Sequence, residues 1–535
     1  MAETGFRKKR GLPPLLWSAF GGLLATLAWP WPGWWPLCFV TLVPLILAAH
    51  GRTGRRAFVC GWVYGLALSL TSVPWLADVL ATYGGLGFWL GWLMIMLLSA
   101  YLALYPALFA WLITLRTPGL WWWALAGAGA WAGLDWLKNW VFTGFNWTPL
   151  AGPLALSAEF GQAADLFGFY GLGFFAALVN FWLAAAILKP GGRPFLLAAL
   201  GLLALGFAYG RASFNYWEAA SDRAEIRLVT VIQPSIDQAE KWEPQDRDRH
   251  LAHYERLALA AEKSWLILWP ETALPFIYEA DRVETDWVNG LASELGGLSL
   301  MGVSGLDGEW PRQTLHNRML LFQEGRPGPW YDKRHLVPFG EYLPLDWLPF
   351  LNLSFIEGLI GQAGIYDPGR PHPPLDLPLG PEEDRLVRLG LMICFESTFP
   401  YLGRDRVRAG ADLLVVPTND AWFGLSRAPG QHLLQAAMRA IETRRPLVRA
   451  GNTGISAVIR PSGLITQATE LMAVGAFPLE TPILALADTK QTLFLRWGCG
   501  LAPALAIWAG LMAALHLLPG GRAGHRAGKR PLAQK

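Results

Sequence analysis

"LGLMICFES", Leu389 to Ser397, is an apolar run that closes on one cysteine, an aromatic ring and a carboxylate. An unbroken apolar run of this length suits a strand buried on both faces. A thiol at its end can be a core residue, half of a disulfide, a metal ligand or a nucleophile. Other short β-prone runs flank it: "EIRLVTVIQP" (Glu225–Pro234), "SWLILWPET" (Ser264–Thr272), "LSLMGVSG" (Leu298–Gly305) and "ADLLVVPTND" (Ala411–Asp420). Helical stretches such as Arg247–Glu262 lie between some of them. The alternation predicts an α/β sheet domain, in which functional groups gather beyond the strand C-termini.

The surroundings of this domain are of another kind. Of 535 residues, 53% are hydrophobic and only 16% charged, and 29 are tryptophan. Soluble chains carry roughly 25% charged residues, and tryptophan concentrates at bilayer interfaces, so the balance is that of a membrane protein. A net charge of +3 names no partner, and no basic tract with interleaved aromatics points to nucleic acid. A bilayer core takes about 20 apolar residues in helix. Eight stretches are candidates: 12–30, 33–50, 57–80, 86–115, 119–137, 166–188, 193–210 and 498–518. The expected division is seven membrane helices in 1–210, a globular domain in 211–495, a last membrane helix in 496–519 and a basic tail in 520–535.

Basic residues orient such a frame. With "RKKR" (Arg7–Arg10) in the cytoplasm, the connections "GRTGRR", "LRTPG", "KPGGRP" and the final "GGRAGHRAGKR" all fall on the same side, and each carries Lys or Arg. The short opposite loops near Trp31 and Tyr83 carry none. Both termini are then cytoplasmic and the globular domain lies outside. A cleaved signal peptide is disfavoured, because Trp and Pro follow the first apolar segment where a small-x-small site is needed. The external "VFTGFNW" (Val141–Trp147) reads equally as an interfacial aromatic belt or as part of a lipid entrance.

Four cysteines are present. Cys38 and Cys60 fall in apolar spans and Cys499 opens the last one, which leaves Cys394 alone well inside the external domain. No CxxC or Cys/His cluster suggests a metal. In an oxidising compartment an unpaired thiol must be buried or used. To attack near neutral pH it needs a base or a cationic neighbour. Glu271, between two prolines in "WPETALP", offers a carboxylate, while "WYDKRHLVPFGEYLP" offers Lys333 and Glu341. Plainer readings stand beside these: a helix cap for Glu271, a solvated loop charge for Lys333. His335 or His432 could instead form a conventional Cys–His pair.

Taken together and in order, "WPETALP", "YDKRHLVPFGEYLP", "ICFES" and "NDAWFG" resemble the nitrilase (carbon–nitrogen hydrolase) superfamily. Joined to a multi-span frame, they look like the apolipoprotein N-acyltransferase family. The resemblance implies a four-layer αββα sandwich with Glu271 as general base, Lys333 as oxyanion stabiliser and Cys394 as nucleophile. It makes Glu341 an accessory carboxylate and puts Trp242 and Asn317 near the site. Phe395 and Glu396 follow the nucleophile where the family usually has Tyr then Glu, so no hydroxyl-dependent role carries over. "TGFNW" departs from a more usual TGFPW. The implied partners are a phospholipid acyl donor, typically phosphatidylethanolamine, and the diacylated N-terminal cysteine of an apolipoprotein. The implied setting is the bacterial inner membrane, with no cofactor. The competing functions are a membrane-anchored nitrilase-type amidase and a non-catalytic scaffold or transporter.

Overall fold

The computed structural model describes residues 13–115, 117, 119–261, 264–309, 312–342, 366–380, 385–485, 491–498, 500 and 503–508. Strands β1 (Glu225–Gln233), β2 (Leu266–Leu268), β3 (Ile277–Tyr278), β4 (Leu298–Asp307), β5 (Thr314–Gln323) and β6 (Arg326–Asp332) belong to one sheet. Strands β7 (Leu375–Pro378), β8 (Leu386–Leu391), β9 (Leu413–Thr418), β10 (Leu447–Gly451), β11 (Ala457–Ile459) and β12 (Ile465–Ala468) form a second, in the order β12-β11-β10-β9-β8-β7. The chain then returns as β13 (Gly475–Ile483), antiparallel to β1, so the first sheet runs β13-β1-β2-β4-β5-β6 with β3 beside β4.

The two sheets face each other. Val229, Leu268, Leu300 and Leu321 from the first meet Leu389, Val415, Val448 and Val458 from the second in one dry layer. Trp269, Met301 and Val303 point the other way, onto helices Arg247–Leu259 and Arg282–Leu295. Leu414 and Val416 likewise pack on helices Pro400–Arg408 and Ala428–Thr443. Leu413 and Val415 therefore face the partner sheet while Leu414 and Val416 face helix, which is why β9 reads as a solid apolar run rather than an alternation. The result is the αββα sandwich that the resemblance implied.

Among the described residues, three helices are long and apolar enough to cross a membrane: Gly87–Leu112, Ala164–Leu188 and Arg193–Asp222. Gly54–Ser72 and Trp75–Thr82 make a fourth if taken together, but they meet at 60°. The single span expected at 57–80 is thus broken, at Pro74, which has no N–H to continue the ladder. The stretches expected at 12–30 and 33–50 hold the shorter apolar helices Pro14–Ala28 and Trp35–Ala49, and Leu120–Leu137 occupies the fifth. Of the last candidate, the helical residues 503–508 pack on Gly133, where an added Cβ would stand 2.6 Å from the Ala506 Cα. The "RKKR" segment and the basic tail lie outside the described residues.

The sandwich is bonded to these helices mainly through Ala428–Thr443 and the residue after it. Gln431 Nε2 donates to the Ser72 carbonyl (3.0 Å), beside the helix break, and Arg444 Nη2 donates to Asp165 Oδ2 (2.8 Å). Glu442 Oε1 accepts the Phe169 N–H (2.7 Å) just after Gly168, whose φ of +70° interrupts Ala164–Leu188. Glu442 so caps the membrane helix from the other domain.

On β4, Gly302 sits against the "WPET" turn, and a Cβ there would lie 2.1 Å from the Pro270 carbonyl oxygen. Gly302→Ala is expected to displace that turn and to cost about 1–3 kcal/mol, as overpacking does. The measurement is the thermal unfolding midpoint of the detergent-solubilised chain, followed by tryptophan fluorescence. An unchanged midpoint would refute it.

Candidate active site

Glu271 follows β2 in a turn tightened by Pro270 and by Thr272, whose φ is +41°. Lys333 follows β6 directly, and its N–H donates to the carbonyl of Asn317 on β5 (2.9 Å). Cys394 opens a single 3₁₀ turn, Cys394–Thr398, just beyond β8, with a φ of +52°. These strand ends converge. Lys333 Nζ donates to Glu271 Oε1 (2.8 Å) and to Glu341 Oε1 (2.9 Å). Asn317 Nδ2 bonds the same two oxygens, each at 2.8 Å. Glu341 Oε2 accepts the Val337 N–H (2.8 Å), and Glu271 Oε2 accepts the Asn419 N–H (2.9 Å). Glu271 and Thr418 lie near enough to the Cys394 thiol to act on its ionisation.

Lys333 is only 1% exposed, so its charge depends on these carboxylates. Burial pushes its pKa down, but Glu271, Glu341 and Cys394 outweigh that and hold it well above the ordinary 10.5. Burial pushes Glu271 up, and Lys333, with the hydrogen bonds of Asn317 and Cys394, carries it below its ordinary 4.5. Burial and the Glu271 charge push the Cys394 thiol up, against the pull of Lys333. The resting arrangement is therefore a neutral thiol beside an ionised base. A base in contact with a buried thiol, and a cation held where negative charge develops, are what an acyl transfer through sulfur requires.

The site lines a cavity of about 480 Å³. Cys394, Phe395, Trp242 and Glu341 form part of its wall, while Trp75, Val79, Leu98, Tyr101, Phe142 and Phe145 come from the membrane helices and the "VFTGFNW" loop. That loop is no mere interfacial belt. It turns through positive φ at Phe142, Thr143 and Gly144, and the Thr143 carbonyl lies 3.0 Å from His335 Nε2. Asn146, where proline is usual, donates from its side chain to the Asp135 carbonyl (2.9 Å), a bond proline cannot make.

Glu396 is not among the residues that line the cavity. Fully buried, it accepts the N–H groups of Ile393 (2.7 Å), Arg334 (2.8 Å) and His335 (3.1 Å), and the Tyr331 hydroxyl at 3.0 Å. It ties the turn of Cys394 to the loop of Lys333. His335 is committed to Tyr401 Oη (2.9 Å) and Thr143, and burial lowers its pKa to about 4. His432 Nε2 lies 2.9 Å from the Cys394 carbonyl oxygen, and burial and then Arg449 hold its pKa below the ordinary 6.5. Neither histidine makes the conventional Cys–His pair. Sequence reasoning missed three contributors: the Asn419 backbone N–H, inside the "NDAWFG" motif, the wall supplied by the helix break, for which Pro74 was the one signal, and the buried Lys241. Lys241 Nζ lies 3.3 Å from Thr272 Oγ1 and 3.5 Å from the Glu271 carbonyl oxygen, and burial lowers its pKa to about 8.

Residues 21–182 match the family described as apolipoprotein N-acyltransferase N-terminal domain, and residues 228–475 match carbon-nitrogen hydrolase. An apolipoprotein N-acyltransferase from Geobacter metallireducens is 35% identical over 514 residues, 94% of each chain. The chain belongs to the apolipoprotein N-acyltransferase family. Another member, from Chromobacterium violaceum, is 31% identical over 95% of this chain and 96% of its own. Among solved structures, an amidase from Nesterenkonia sp. aligns with 51% of this chain and 97% of its own at 20% identity and a TM-score of 0.36. The chain is thus a membrane acyltransferase of lipoprotein biosynthesis, as the motifs implied.

In this acyltransferase, Glu396→Ala would leave three backbone N–H groups and one hydroxyl without their acceptor. Each buried unsatisfied group costs about 1–3 kcal/mol, so the variant is expected to melt far below the parent. Cys394→Ala is expected to melt with the parent. Equal melting midpoints for the two variants would rule out a bracing role for Glu396.

Proposed function

We propose that Cys394 carries the acyl group between a phospholipid and the N-terminal cysteine of a diacylated apolipoprotein, with Glu271 as the base and Lys333 as the oxyanion partner. The observation that carries this is the meeting of these three side chains in one cavity whose other wall is apolar and comes from the membrane helices. In the first half-reaction Glu271 takes the thiol proton while Sγ bonds to the carbonyl carbon of the sn-1 ester. The tetrahedral oxyanion forms beside the Lys333 ammonium. The ester C–O bond breaks, and Glu271 returns the proton to the departing lysophospholipid oxygen. A Cys394 thioester remains. In the second half-reaction the neutral α-amine of the S-diacylglyceryl cysteine attacks that thioester, and Glu271 takes the proton that nitrogen loses. The C–S bond breaks and Glu271 reprotonates the thiolate, leaving an amide and the free enzyme. One base and one cation serve both steps. Glu341 and Asn317 hold Lys333 and Glu271 in register, and Phe395 and Trp242 shape the wall.

The setting follows the same reading. Phosphatidylethanolamine is the donor, and about eight spans anchor the chain in the bacterial inner membrane. The catalytic domain, 211–495, faces the periplasm, and both termini lie in the cytoplasm. Acyl chains then stay in hydrocarbon while ester and amine reach the site from the bilayer surface.

The test is to incubate the purified protein in detergent with phosphatidylethanolamine and examine Cys394 by mass spectrometry. An acyl adduct that moves to the amine of a diacylated lipopeptide is expected, with none in Cys394→Ala. Release only as free acid would favour a hydrolase, and no adduct from any donor would favour a scaffold.

The pH dependence of the first half-reaction separates the base from the histidines. With the folded pKa of Glu271 below 4.5, the base stays ionised above that value and is lost only as pH falls through the lower one. Single-turnover acylation is therefore expected to show its acid limb below pH 4.5 and no inflection near pH 6.5, the ordinary histidine value. A limb near 6.5 that vanishes in His432→Gln would assign the proton to histidine.

A further inference from the structure

Helix Ala428–Thr443 places His432, fully buried, directly behind the nucleophile. Its Nε2 lies 2.9 Å from the Cys394 carbonyl oxygen, and its Nδ1 lies 3.0 Å from Arg449 Nη2 and 3.1 Å from Asp420 Oδ1. A carbonyl only accepts, so Nε2 carries the hydrogen. Nδ1 faces both the Arg449 guanidinium and the Asp420 carboxylate. Arg449 Nη2 also donates to Asp420 Oδ2 (2.6 Å), and Asp420 Oδ1 accepts the Thr418 hydroxyl (2.9 Å). The ring is thus anchored by a paired arginine and aspartate, neither of them exposed at all.

The bond matters because of the backbone it grips. Cys394 has a φ of +52°, a left-handed conformation that is costly for any residue with a Cβ. Such strain persists only where the surroundings over-determine it. Here two donors meet one carbonyl: His432 Nε2, and Ser397 Oγ at 2.9 Å. The direction of the Cα–Sγ arm follows from that carbonyl's orientation, and Sγ must point at Glu271.

We propose that His432 is a positioning residue for the acyl transfer, its Nε2–H holding the Cys394 carbonyl so that the strained turn aims the thiol at its base and at the ester. The proposal rests on Cys394 being the nucleophile. The membrane loop takes part in the same packing. The Trp147 ring lies 5.5 Å from the His432 ring, and Trp147 Nε1 donates to Gln431 Oε1 (2.7 Å).

The experiment compares His432→Leu, which removes the donor, with His432→Gln, whose side-chain amide reaches the Nε2 position. Each is assayed in the full-length protein for single-turnover acylation from phosphatidylethanolamine, for KM, for melting midpoint, and for the rate at which iodoacetamide alkylates Cys394. Misplacing a reacting atom by an ångström costs about a hundredfold. His432→Leu is expected to lose about that factor in the acylation rate with KM unchanged and to slow alkylation, while His432→Gln recovers most of both. Equal rates in the two variants, whether both fast or both slow, overturn the proposal, as does a change confined to KM. If His432→Leu does not fold, His432→Asn replaces it. Its amide is one methylene shorter, so it should be slow where His432→Gln is fast. A parent protein with no acyl adduct on Cys394 would instead sink the nucleophile reading, and the alkylation rates would still decide the role of His432.

Discussion

An ammonium group at 1% exposure has no water to solvate it, and the fold must supply its counter-charge. For Lys333 that supply is Glu271 and Glu341, both bridged by Asn317. The four residues come from the turn after β2, the middle of β5, the end of β6 and the loop beyond it, so only a closed first sheet brings them together. Removing either carboxylate would leave a buried cation short of charge, and removing the lysine would set two carboxylates against one another. The lysine proposed to stabilise the oxyanion is therefore also a condition of the local structure. Cys394 enters this cluster from the second sheet, across the interface between the two.

That interface explains the second level of organisation. The turn of Cys394 is held from below by Glu396, which also fixes the Lys333 loop, and from behind by helix Ala428–Thr443. The same helix bonds Ser72 at the membrane-helix break and Trp147 in the membrane loop, and its end caps the helix resumed at Phe169. Buried side-chain amides and carboxylates do this work in place of a purely apolar seam, which gives the junction direction as well as adhesion. A catalytic sandwich cut away from its membrane helices would lose not only an anchor but one wall of its cavity.

The sandwich was legible in sequence wherever burial on both faces wrote an unbroken apolar run, as in β9 and in the stretch from Leu389 that ends β8. Glu271, Lys333 and Cys394 were legible because each sits in a short motif at a strand end, although their proximity came from resemblance rather than from spacing. Strands β5 and β6 were less visible, since "HNR" and "RPGPWYD" carry charged and proline residues that serve the site and the sheet edge. The expected span at 57–80 is continuous in hydropathy, and only Pro74 hinted that it divides. Glu396 stood out in the sequence only as the second residue after Cys394, and its bracing of two loops was not legible there. His432 was read as half of a possible Cys–His pair, and the structure places its Nε2 against the Cys394 carbonyl instead.

The placement of aromatic rings gives the last step. A thioester meets both water and an amine, and an N-acyltransferase must favour the amine. Trp75, Phe142, Phe145 and Trp147 surround the thiol's cavity with apolar surface, and Trp147 stacks toward Phe395 at 6.4 Å. Phe395, where the family usually has tyrosine, adds an apolar ring to that wall without the hydroxyl. The polar atoms near Cys394 are mostly engaged with one another, since Glu271, Lys333, Asn317 and Asn419 bond among themselves. Water entering such a pocket finds few partners, whereas an amine carried on diacylglyceryl chains brings apolar surface that the wall can bury. On the proposed mechanism, a preference for transfer over hydrolysis would come from the membrane half of the cavity.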